Sequence, residues 1–194
     1  MIYRFVFLFL VPIASYSQVP KENNPKDHPY QINKWFVEKL NNNPISYYLN
    51  NPDIDNYSKM YYKGEFAASD DSLTFGFLDS LLTSNRNTRD FYLFVFNSVL
   101  RISDGALAES MGSYCRAYFE KYPCDFLGLR NDKFYADNYQ RWIDFAAYEY
   151  LFEKDPIKTI ENELKILHPI VSVNCNERGE ELDKVKSRII DLIE

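Results

Sequence analysis

Residues 88–102, TRDFYLFVFNSVLRI, constrain the fold more than any other stretch of the chain. Phe91, Tyr92, Leu93, Phe94, Val95, Phe96, Val99, Leu100 and Ile102 occupy nearly the whole circumference of a helix. A helix that is apolar all round has to be covered on several sides, so the neighbouring segments must supply that cover. The uninterrupted run FYLFVF also fits a buried strand. No other segment offers it a convincing strand partner, and a helix capped at Thr88 is the better reading. The run is too short to cross a bilayer and is closed in by Arg89 and Asp90 on one side and Asn97 and Ser98 on the other.

The flanking segments read as its cover. Ser69, Asp70, Asp71 and Ser72 offer caps and negative charge for a helix N-terminus. Leu73, Phe77, Leu78, Leu81 and Leu82 then give one apolar face over 70–84. A turn with Ser103 or Asp104 as cap opens a helix over 106–122, whose inner face is Leu107, Met111, Tyr114 or Cys115, and Tyr118 or Phe119. Pro123 stops it, and Phe126, Leu127 and Leu129 tuck a connector under the domain. Asn131 or Asp132 opens a long helix to about Lys154 with the stripe Tyr135, Tyr139, Trp142, Ala146 and Tyr150. Phe145, Tyr148 and Phe152 add a second apolar side, which predicts an interior helix.

Asp155 followed by Pro156 is a helix start, a capping residue and then proline at the first helical position. Ile157, Ile160, Leu164 and Leu167 follow at one-sided spacing until Pro169, which breaks or kinks the helix. Residues 170–176 fit no single pattern. The last helix, 177–194, carries Leu182, Val185, Ile189 and Leu192 on its stripe.

These elements predict an all-α fold of about seven helices arranged as successive αα-hairpins: 70–84 with 88–102, 106–122 with 132–153, and 156–168 with 177–193. The spacing is similar to a short HEAT-like α-solenoid, though no repeat recurs at a fixed period. A compact irregular helical bundle is the alternative. Only 6 glycines in 194 residues argue against an all-β chain rich in tight turns.

The N-terminus reads as a processing segment. Arg4 precedes the nine-residue apolar run 5–13, and small residues at Ser15 and Ser17 predict cleavage before Gln18. No cysteine adjoins that site, so a lipid anchor is not expected. The predicted organisation is a signal peptide over 1–17, an extended lead-in over 18–31 with three prolines, and a single all-α domain over 32–194. The domain opens with a short amphipathic helix, 32–42, bearing Ile32, Trp35, Phe36 and Leu40. The expected address is periplasmic or secreted, with a bacterial envelope preferred.

Three cysteines, Cys115, Cys124 and Cys175, allow at most one intramolecular disulfide. Most of a helix separates Cys115 from Cys124, about 10 Å or more at 1.5 Å per residue, so a bridge from one of them to Cys175 is the better expectation, the alternative being three buried small hydrophobes.

The formal charge of −6 and the lack of a basic run exclude binding of nucleic acid or an anionic membrane through the net field. The sequence carries no Gly-rich phosphate loop, nucleophile elbow or metal-ligand spacing. His28 and His168 stand apart from any second ligand, and the Asp53, Asp55 run lacks the glycine and the final acid of a calcium loop. No catalytic, cofactor-binding or metal-binding residue is assigned. What remains is protein–protein binding by an envelope inhibitor or immunity-type protein. The alternatives are a carboxylate-based hydrolase using acids such as Asp70, Asp71, Asp104 and Glu109, and a structural envelope component. The expected partner-facing residues are Tyr57, Tyr61 and Tyr62 in the Tyr-rich segment 47–66, with Arg86 and Arg89 beside the Asn-rich turn. The other reading of that segment packs its rings on the core with the hydroxyls at the surface.

Overall fold

A computed structural model describes residues 37–194. The signal segment, the lead-in and the first part of the helix expected over 32–42 lie outside the described residues.

Two asparagines decide how the described chain begins. Asn41 and Asn42 have φ of 48 and 68°, the left-handed region at both centres of a tight hairpin. Asparagine is among the few residues that enter this region readily. Strands β1 (Lys39–Leu40) and β2 (Asn43–Pro44) pair antiparallel across them, with Lys39 opposite Pro44. The expected helix therefore does not reach Asn42. Leu40 is fully buried, and its carbonyl accepts the Tyr48 hydroxyl at 3.2 Å, so a tertiary contact fixes the turn.

The segment after it is helical and docked on the core. Helices α1 (Ile45–Leu49) and α2 (Asn56–Lys63) lie on either side of a turn. Asp55 caps α2 by accepting from the Ser58 amide at 2.8 Å, and Gly64 ends it at φ 76°, where a side chain would be strained. The Tyr92 hydroxyl takes the Asp55 amide at 3.1 Å and donates to the Asp53 carbonyl at 3.3 Å, tying the turn to the central helix.

Helix α3 (Ser72–Leu78) is capped by Asp71 and runs into a single 3-10 turn, Asp79–Leu82. The central helix, α4 (Arg86–Ile102), buries every residue from 91 to 100, as an all-round apolar helix requires. Its cap is Asn85 rather than Thr88. The Asn85 side chain accepts the Asn87 amide at 3.0 Å, while Thr88 is buried within the first turn. The strand reading of FYLFVF is excluded.

Helix α5 (Gly105–Lys121) buries Met111, Cys115, Tyr118 and Phe119. Pro123 ends it and also opens α6 (Pro123–Gly128), where the proline's missing N–H costs nothing. Phe126, Leu127 and Leu129 are buried as expected. Helix α7 (Tyr139–Tyr150) starts later than predicted, after a 3-10 turn at Ala136–Asn138. The reason is a commitment elsewhere: the Asn138 amide group donates to Asn97 at 3.0 Å, and the Asp132 carboxylate takes the Phe134 amide at 2.7 Å.

Helix α8 (Pro156–Asn174) is one element that passes through Pro169 and takes in most of 170–176. The proline lies on the exposed side, while Leu167 and Val171 on either side of it are buried, and this burial holds the helix across the lost hydrogen bond. Helix α9 (Gly179–Ile193) buries Leu182, Val185 and Ile189, whereas Leu192 is exposed.

The fold is all-helical, with nine α-helices and one two-residue-strand hairpin among the described residues. Each predicted pair is in contact: α4 with the 3-10 turn that ends α3, α5 with α7, and α8 with α9. Helix α7 also touches α4 and α9, so it ties the first half of the chain to the second. A disulfide joins Cys124 in α6 to Cys175 at the end of α8, with Cα atoms 5.9 Å apart, and Cys115 is a buried thiol. Among the described residues no helix is long and apolar enough to cross a membrane.

Candidate functional site

The five residues expected to face a partner do not form one surface. Tyr61 is buried and stacks on Phe77 with ring centroids 5.8 Å apart. Tyr62 is buried between Phe91 and Phe94, and its hydroxyl bonds both the amide and the carbonyl of Val37. That burial raises its pKa to about 12. Both belong to the core, because Tyr61 falls on the side of α2 that meets α3 and Tyr62 on the side that meets α4. Arg89 is also engaged. It pairs with Asp125 at 2.8 Å and lies over the Tyr122 ring at 4.2 Å, bracketing α4 to α6. Tyr57, 37% exposed against Phe66, and Arg86, exposed in the first turn of α4, remain at the surface.

The acids named from the sequence also separate. Asp71 is a helix cap: it accepts the Thr74 amide at 2.8 Å and the Ser69 hydroxyl at 2.6 Å, and these bonds, Ser69 first, lower its pKa. Asp70 and Asp104 share the edge of an open depression of about 370 Å³ between residues 68–70 and 102–107. Asp104 occupies the expected N-cap position of α5, but without a side-chain capping bond, and the Ser103 hydroxyl donates back to the Leu100 carbonyl. Glu109 belongs to a different feature. Among the described residues no cluster of three or more His, Cys, Asp or Glu is arranged to hold a metal ion.

That other feature is a groove where α5 and α7 meet. Gly112 sets it up. A Cβ at this position would lie 2.9 Å from the Phe145 carbonyl oxygen, so only glycine lets the backbones approach this closely. One turn earlier, Ala108 is too small to fill the space. The result is an apolar groove of about 300 Å³ lined by Ala108, Phe145 and Tyr148, with Glu109 and Asp144 on its rims. The Arg141 guanidinium lies 5.0 Å from the Phe145 ring centre and donates to the Ser103 carbonyl at 2.8 Å, which holds that wall in place. Asp144 is positioned by Gln140 at 2.9 Å and by Arg188 of α9 at 3.2 Å.

Apolar surface continues out of the groove. Tyr148, Leu151 and Phe152 are 41, 47 and 70% exposed, and the Tyr148 and Phe152 rings meet edge to face with centroids 5.3 Å apart. This is the second apolar side of α7 that the sequence pattern assigned to the interior. The helix buries only one of its two sides, through Trp142, Ala146 and Tyr150. A second exposed strip, Ile166, Ile170 and Val173, stands on the outer side of α8. At α5 and α7 an exposed aromatic ring, Tyr148, lines a concavity.

Beyond Gly112 the same helices carry a charged cluster. Arg116 lies over the Tyr150 ring at 4.2 Å and pairs with Glu120 at 2.8 Å, Glu153 at 2.7 Å and Glu163 of α8. The Tyr150 hydroxyl donates to Glu163. Partial burial, followed by the nearby Glu163 carboxylate, raises the Glu120 pKa.

No protein-family model, curated protein or solved structure matches the chain.

Proposed function

We infer that this is an exported helical protein that acts by binding another protein, and that the α5/α7 face is its docking surface. The observation that carries this reading is Phe152, 70% exposed on an apolar surface that runs into the groove through Tyr148. Leaving an aromatic pair in water forgoes the stabilisation its burial would supply, and such pairs are enriched where partners bind. An oxidising compartment is supported by the Cys124–Cys175 disulfide and by the signal-like segment at 1–17. An envelope inhibitor or immunity-type protein that plugs a toxin or hydrolase is the concrete version, consistent with small size, acidity and a groove offered by rigid helices.

The test is affinity capture from the organism's own envelope extract, with the chain from Gln18 to Glu194 and with a Tyr148→Ser, Phe152→Ser double variant. A protein held by the first and lost by the second supports the reading. Equal retention by both, or no specific protein, overturns it. Export is tested by mass spectrometry of the purified natural protein. The expected first residue is Gln18, and an intact Met1 refutes it.

The second reading, a carboxylate-based hydrolase of cell-wall or polysaccharide substrate, is favoured by one observation: Asp70 and Asp104 line the same depression. Its test is release of soluble fragments from cell-wall polysaccharide that disappears in Asp70→Asn and Asp104→Asn.

A further inference from the structure

If the α5/α7 face binds protein, the chemistry of the groove selects the kind of protein segment. The lining is apolar, and it is bordered by two acidic residues: Glu109, exposed on α5, and Asp144 on α7. Above Gly112 the Glu149 carboxylate comes within 3.1 Å of where a Cβ would stand, so negative charge continues along the seam. At the next turn one guanidinium, Arg116, meets three carboxylates, Glu120, Glu153 and Glu163, and leaves negative charge in excess. Two cations of this face are engaged within the chain: Arg188 on Asp144, and Arg141 on the Ser103 carbonyl and the Phe145 ring.

We propose that the groove takes a cationic amphipathic segment of another protein, with an apolar side chain seated on Ala108, Phe145 and Tyr148, continued over Phe152, and flanked by Lys or Arg that meet Glu109 and the carboxylates around Arg116. Apolar anchors in a groove supply affinity, and the charged rim supplies orientation and speed of encounter. The same rim repels phosphate backbones and anionic lipid, so the complementary surface is a basic protein segment.

The probe is a synthetic peptide of Leu and Lys in helical spacing, with a counterpart in which every Lys is Glu. Binding is followed by titration calorimetry for the wild-type protein and for Glu109→Lys, Phe152→Ser and Glu180→Lys, with circular dichroism confirming that each variant is folded. Glu180→Lys makes the same charge change on the outer side of α9. The expected result is that the Lys peptide binds, that Glu109→Lys and Phe152→Ser each weaken it about tenfold or more, and that Glu180→Lys changes it less than about twofold. If Glu180→Lys weakens binding as much as Glu109→Lys, only the net field of the chain is at work and the proposal is wrong. If the Glu peptide binds equally well and still depends on Phe152, the cationic preference is wrong but the docking reading survives. If neither peptide binds, the proposal fails, and the capture experiment then decides the docking reading separately.

Discussion

The indole Nε1 of Trp142 donates to Oδ1 of Asn97 at 2.9 Å in the centre of the protein. The same oxygen accepts from Asn138 at 3.0 Å, and the Asn97 amide nitrogen donates to the Phe134 carbonyl at 3.3 Å. Asn97, on a mostly apolar stretch of α4, thus fixes α7 and the turn that leads into it. Asn97→Ala strands the Trp142 donor, the Asn138 amide and the Phe134 carbonyl in the core. The expected loss is about 3 kcal/mol, read as a lower urea midpoint.

Two helical glycines should respond in opposite directions to the same substitution. At Gly112 a Cβ would meet the Phe145 carbonyl at 2.9 Å, and two helices would have to part. Gly112→Ala is expected to destabilise by about 1–3 kcal/mol despite its better helix propensity. At Gly76, on the exposed side of α3, a Cβ would meet nothing within 4 Å, and Gly76→Ala is expected to stabilise by about 0.5–1 kcal/mol. Thermal melts of the two variants side by side check the pair.

Glu120, beside Arg116, gives stability a pH dependence with a definite sign. The Glu120 pKa is raised above 4.5 in the folded protein, so the fold prefers the protonated form. Its contribution is present in full below 4.5 and is lost as pH rises through the folded value. Glu120→Gln should flatten that part of the stability–pH curve and leave the protein at least as stable as wild type at neutral pH. A neutral-pH loss on a par with that of Arg116→Ala would show that Glu120 acts as an ionised partner of Arg116 instead. The side chain is 42% exposed, so solvent screening keeps the effect small.

The disulfide closes a long loop, since Cys124 and Cys175 are 51 residues apart. Replacing both by serine is expected to cost about 2–4 kcal/mol, mainly by freeing the unfolded chain. Cys115 should stay inert to thiol reagents in the folded protein, because burial raises its pKa far above the usual thiol value and blocks access. One thiol per chain should appear on denaturation without reductant, and three with it.

From residue 69 onward the sequence by itself determined most of the helix order and the burial of α4 on all sides, but not the disulfide pairing, for which it offered a bridge to Cys175 only as one of several options. Periodicity and capping chemistry are local, and they report reliably that a helix forms and which faces are apolar. They do not report what covers a face. Tyr61 and Tyr62 read as a partner surface and lie in the core, while Phe145, Tyr148 and Phe152 read as interior and form the edge of the groove. Tyr48, eight residues on, holds the Asn41–Asn42 hairpin through the Leu40 carbonyl, whereas the unbroken helix through Pro169 and the late start of α7 were decided by long-range contacts: Leu167 and Val171 in the core, and Asn138 on Asn97. Only the tertiary structure brings such groups together, because the free energy that fixes each local choice comes from a neighbour distant in the chain.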